Sequence, residues 1–130
     1  MVLQESPKIK IWLDDVRKPP KLGWDWFKSE KPLRLFYIAH ESEIEEMSLD
    51  HDLWNGSTGY DFLVWLEEKI FSGEFTKLPL INVHSMNPTG KQRMEQCIDR
   101  MERYLDFVGQ EELGISEGDL DEIYYPESGC

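Results

Sequence analysis

Lys8-Ile9-Lys10-Ile11-Trp12-Leu13-Asp14-Asp15 first alternates, then turns continuously apolar, and stops at two adjacent carboxylates. Val16-Arg17-Lys18-Pro19-Pro20 comes next, and Pro-Pro cannot continue a hydrogen-bonded ladder. The stretch reads as a buried strand that ends abruptly in acid. Working outward, the pattern returns twice. Residues 44–49 run into Asp50-His51-Asp52-Leu53, and the short apolar stretch 78–83 runs into His84-Ser85-Met86-Asn87-Pro88. Residues 23–28 fit a further short strand.

Helical spacing fills the intervals. Phe62, Leu63, Leu66 and Ile70 make one buried stripe over 60–71, and Met94, Cys97, Ile98, Met101 and Leu105 make another along 90–104. Residues 31–40 carry mixed signals. Phe36, Tyr37 and Ile38 suit a strand, whereas Ser29, Glu30 and Pro32 look like a helix start, and we assign a helix over 30–42. Strands alternating with helices imply an α/β fold with a mainly parallel sheet and right-handed crossovers. In such sheets ligands bind beyond the carboxyl ends of the strands. Asp14/Asp15, Asp50/Asp52 and His84/Ser85/Asn87 therefore converge on one rim.

The chain has 130 residues, 40% of them apolar and 12% aromatic, which suits one compact domain and excludes a wholly disordered chain. Its formal charge is −12, so no basic surface offers an extended nucleic-acid footprint. The acid is concentrated at the end. Residues 105–130 hold eight carboxylates and no Lys or Arg, leaving the first 104 residues nearly balanced. We divide the chain into a domain, 1–104, and an acidic tail, 105–130, that is either solvated, docked back on the domain or bound to a basic protein partner. Cys97 and Cys130 are too few for a disulfide framework, and Cys97 reads as core. No apolar run approaches a membrane span or a signal core, so a soluble cytoplasmic protein is expected.

Several carboxylates on one rim repel each other unless a cation joins them. Hard oxygen ligands favour Mg²⁺ or Mn²⁺, with Asp14, Asp15 and Asp50 as the expected ligands and Asp52 behind them. Acids at strand ends also serve as plain helix caps, but two clusters on one rim favour the metal. His51 and His84 are candidate proton-transfer groups, and Ser85 a candidate donor to a phosphate oxygen. Asn87-Pro88-Thr89-Gly90 opens a helix bearing Lys91 and Arg93, a plausible phosphate cradle or a simple capped start. Arg17 has two readings as well, phosphate contact or neutralisation of the acids. Of the five tryptophans, Trp54 sits in a glycine-rich loop beside the acids and could stack on a base; the others read as core.

Three segments together, 12–20, 48–53 and 84–90, resemble the cyclic-phosphate processing receiver domain, a divergent relative of two-component receivers. The resemblance implies a flavodoxin-like three-layer sandwich. It places Asp14 and Asp15 where receivers hold Mg²⁺, Asp50 at the phosphoacceptor position and Ser85 at the hydroxyl position after the fourth strand. It also implies processing of cyclic phosphate ends of RNA, with His51, His84 and Asn87 in the distinguishing motifs. The sequence departs from receivers in having no lysine after Lys91 and only 120–125 as a candidate fifth strand. Trp54-Asn55-Gly56 stands where the family commonly has glycine directly.

The leading expectation is a metal-dependent phosphoesterase acting on a 2′,3′-cyclic phosphate RNA end or a small cyclic nucleotide. Asp50, His51, His84 and Ser85 form its candidate catalytic set, and Arg17, Asn87, Lys91 and Arg93 would hold the substrate. The alternative is a non-catalytic binding module for a metal, nucleotide or protein partner, and a third reading is a signalling receiver phosphorylated on Asp50.

Overall fold

Every strand of the sheet ends on the same rim, and a helix follows the second, third and fourth in chain order but not the first. The computed structural model describes residues 8–53 and 56–111. Strands β1 (Ile9–Leu13), β2 (Trp24–Phe27), β3 (Ile44–Leu49) and β4 (Leu80–Val83) are joined by helices α1 (Glu30–His40) and α2 (Gly59–Phe71), and α3 (Pro88–Glu111) follows β4. The sheet order is β2-β1-β3-β4 and every pairing is parallel. This is the flavodoxin-like order without its last strand among the described residues. No described helix is long and apolar enough to cross a membrane.

Register decides which side chains share a face. Ile11 pairs with Met47 and Leu13 with Leu49, and Met47 and Leu49 pair with Ile81 and Val83. These positions look onto the helices, where Leu33, Tyr37, Phe62, Leu63, Leu66, Met94, Cys97 and Met101 complete a fully buried core. Stepping from β2 to β3 and from β3 to β4 moves in one direction across the sheet, so right-handed crossovers put both helices on one side. Contacts of α2 with both α1 and α3 agree.

The architecture is the expected α/β, flavodoxin-like one with a parallel sheet. Over the described residues its helices lie on one side of the sheet, because the β1–β2 connection, residues 14–23, contains Pro19-Pro20 and forms no helix. The opposite face therefore presents Lys10, Trp12, Trp24, Trp26, Ser48 and Asn82. Helix α3 runs past Tyr104 to Glu111 with Phe107 buried, so residue 104 lies within it. Its apolar spacing continues through Tyr104 and Phe107, and no breaker intervenes. The remaining acidic segment, with the candidate strand at 120–125, lies outside the described residues, as does Trp54.

The helix over 30–42 is α1 plus a 3-10 turn, Glu41–Glu43. Pro32 sits in the first turn of α1, where its missing N–H costs nothing. Glu30 and Arg34 pair one turn apart beside it.

Candidate functional site

The sheet ladder continues one residue beyond β1, β3 and β4, and those extra bonds build the site. The Asp14 amide donates to the Phe27 carbonyl at 3.0 Å, the Asp50 amide to Leu13 at 2.9 Å and the His84 amide to Leu49 at 3.0 Å. Residues distant in sequence thus become neighbours on one rim. One oxygen each from Asp14, Asp15 and Asp50 lies within 4.8 Å of the others. Asp14 and Asp50 are buried and Asp15 is half-buried. An open pocket of about 360 Å³ lies over them, with Asp52 and Arg17 also on its wall and Val16, Leu53 and Met86 as its apolar side.

Asp14 is the most completely bonded carboxylate of the three. Its Oδ1 accepts from the Val16 and Arg17 amides at 2.9 and 2.8 Å, and its Oδ2 meets His84 Nε2 at 3.0 Å and Arg17 Nε at 3.2 Å. Burial pulls its pKa up, but those amides and His84 outweigh burial and hold it below the usual carboxylate value. Asp50 goes the other way. Burial, followed by the charges of Asp14 and Asp15, raises it against the His51 amide and Arg17. Two adjacent acids with opposite shifts show a concentration of negative charge that one guanidinium only partly offsets.

The ring of His84 is fixed from both sides. Its Nδ1 lies 2.7 Å from Ser48 Oγ, and Trp12 stacks on it at 3.8 Å with planes only 6° apart. Burial lowers its pKa despite the pull of Asp14, so the neutral imidazole prevails at pH 7. An ionised Asp14 can only accept, which makes Nε2 the protonated nitrogen and the Ser48 hydroxyl the donor to Nδ1. Ser48–His84–Asp14 is therefore a relay of hydrogen bonds whose last member is a rim carboxylate.

Two tryptophans pin the loop that carries the acids. Trp12 Nε1 donates to the Arg17 carbonyl at 2.8 Å and Trp26 Nε1 to the Asp14 carbonyl at 2.7 Å. The arrangement gives Trp12 and Trp26 a job outside the helix-facing core, while Trp65 lies against that core as expected.

His51 pairs through Nδ1 with Asp52 at 2.9 Å, and its ring lies against Gly90 so closely that a Cβ there would sit 2.5 Å from it. Gly59 is under a similar constraint, since a Cβ would come within 2.0 Å of the Asp50 carbonyl. Thr58 and Asp61 cap α2 reciprocally. Asp52 lines the pocket but stands outside the three-carboxylate cluster.

The remaining expected residues lie elsewhere. Ser85 Oγ accepts from the Asn87 amide, and Asn87 Oδ1 accepts from the Gly90 amide, both at 3.0 Å, so the pair shapes the start of α3. Lys91 lines a separate groove between β4 and α3, and Arg93 stands over the Tyr60 ring at 4.9 Å. Reading the sequence missed Ser48, the Trp12–His84 stack and the apolar wall of Leu53 and Met86. Only register and turn geometry bring them to the rim.

Residues 9–100 match the family model of the cyclic-phosphate processing receiver domain. No curated protein and no solved structure matches the chain.

Proposed function

The chain belongs to the cyclic-phosphate processing receiver domain family, and on that premise we propose that it is a divalent-metal-dependent phosphoesterase that opens a cyclic phosphate. The carrying observation is the convergence of Asp14, Asp15 and Asp50 within 4.8 Å beside Arg17. The donor set fits the ion. It is all oxygen and negatively charged, and the raised Asp50 marks a carboxylate short of positive charge. Mg²⁺ or Mn²⁺ held there would supply Lewis-acid polarisation of a phosphoryl oxygen.

The protein's own groups account for the rest. Asp14 is oriented by two amides and by the Ser48–His84 relay, so it presents a fixed edge to the rim. We assign proton transfer to His51, whose Nδ1 pairs with the pocket-lining Asp52: it takes a proton from water as the water oxygen joins phosphorus. The same proton is returned to the ester oxygen that leaves, and a cyclic diester becomes a monoester. Val16, Leu53 and Met86 give the ribose or base an apolar edge. The pocket takes a nucleotide end, and the net charge of −12 disfavours a long polyanion around it.

A 2′,3′-cyclic-phosphate-ended oligonucleotide and a free 2′,3′-cyclic mononucleotide, each incubated with the full chain and Mg²⁺ or Mn²⁺, test this reading. Ring opening that disappears in Asp15→Asn and slows in His51→Ala is expected. Saturable binding of the nucleotide with no product would instead favour the binding module.

A further inference from the structure

Arg17 occupies the space between the carboxylates. Its Nε lies 3.2 Å from Asp14 Oδ2, and its Nη2 lies 3.7 Å from Asp50 Oδ1 and 3.4 Å from the His84 carbonyl. The backbone of the residue is anchored, because its amide donates to Asp14 and its carbonyl accepts from Trp12. The side chain is not enclosed; it is 47% exposed and lines the pocket. A long cationic side chain on a fixed backbone, touching two buried acids by contacts at the outer edge of bonding distance, is built to leave and return.

We propose that Arg17 is an internal counter-ion that competes with the divalent cation for Asp14 and Asp50. When the cation binds, the guanidinium turns into the pocket and grips the phosphate of the substrate. The inference rests on the metal-dependent reading above and deepens it by tying cation loading to substrate grip. Electrostatics favours the exchange. A dication and a guanidinium within a few ångströms of the same carboxylates repel, and the partner on the flexible, exposed stem is the one that moves. A freed guanidinium offers the planar fork that suits two phosphate oxygens. Both readings of Arg17 suggested by the sequence then hold, in succession.

The test is a titration of the full chain with Mn²⁺ alone, followed by water-proton relaxation, for wild type, Arg17→Gln and Arg17→Lys. Arg17→Gln keeps length and removes the charge, and is expected to bind Mn²⁺ roughly 5- to 150-fold more tightly, the usual span of coupling between two sites. Arg17→Lys is expected near wild type and shows that the fold tolerates substitution. With Mn²⁺ saturating, a 2′,3′-cyclic mononucleotide is expected to bind Arg17→Gln more weakly than wild type. Reciprocity adds a second readout, since Mn²⁺ should speed modification of Arg17 by phenylglyoxal, read by peptide mass. Unchanged or weaker Mn²⁺ binding by Arg17→Gln overturns the counter-ion role and leaves the metal reading standing. Absence of Mn²⁺ binding in all three proteins overturns both.

Discussion

At the scale of single residues, the rim holds two neighbouring carboxylates with opposite roles in stability. Asp14 has a depressed pKa, so its contribution is present above the ordinary Asp range and is lost as pH falls through its folded value. Asp50 has a raised pKa, so its ionised form opposes folding above that value and the cost is relieved as pH falls through it. In the presence of chelator at neutral pH, Asp14→Asn is expected to lower stability by about 1–3 kcal/mol, because an amide NH2 would face the donors of His84 and Arg17. Asp50→Asn is expected to raise the urea midpoint under the same conditions, and the gain should vanish on acidification. Urea unfolding of the two variants across pH checks both signs. Gly59 supplies a third case: the Cβ of Gly59→Ala would meet the Asp50 carbonyl at 2.0 Å. A loss of about 1–3 kcal/mol is expected from that overpacking, again read from the urea midpoint.

At the scale of elements, strands and helices were legible because their signals are local. The alternating stretch before Asp14, the stripes of α2 and α3 and the Ser29–Pro32 start of α1 each lie within one short window. The placement of the helices on one side was half legible in the shortness of residues 14–23, which leave no room for a helix. What could not be read is whatever depends on register. Ser48 reaches His84 because β3 and β4 pair with Ser48 opposite Asn82 and Leu49 opposite Val83, and no local pattern announces that. Asn87 belongs to the opposite case. Asn-Pro followed by Thr-Gly is a familiar helix start, and the structure uses Asn87 as that cap. Asn87→Ala is accordingly expected to cost about 0.5–2 kcal/mol in thermal or urea unfolding. Ser48→Ala leaves His84 Nδ1 without its donor and should weaken Mn²⁺ binding through a looser Asp14, roughly 10-fold or more by relaxation titration.

At the scale of the whole molecule, a parallel sheet gathers acids from two strand ends and an imidazole from a third. The order β2-β1-β3-β4 puts β1 and β3 side by side at the centre, so Asp14 and Asp50 are neighbours although two strands, a helix and a turn separate them in the chain. That convergence was visible in the sequence, since acid directly after an apolar strand places itself at the carboxyl edge. The cation among the acids was not visible. Sequence offered Arg17 as either phosphate contact or neutraliser, and only the side-chain geometry brings its guanidinium to Asp14 and Asp50.

Metal-dependent opening of a cyclic phosphate at this rim, as proposed above, is open to one direct experiment. The full chain is stripped with chelator and mixed with a 2′,3′-cyclic-phosphate-ended oligonucleotide, Mg²⁺ is restored, and ring opening is followed beside Asp50→Asn. No product is expected before Mg²⁺, turnover after it, and a loss of roughly 10²-fold or more in the variant. Ring opening that proceeds under chelator, or that Asp50→Asn leaves intact, would contradict it.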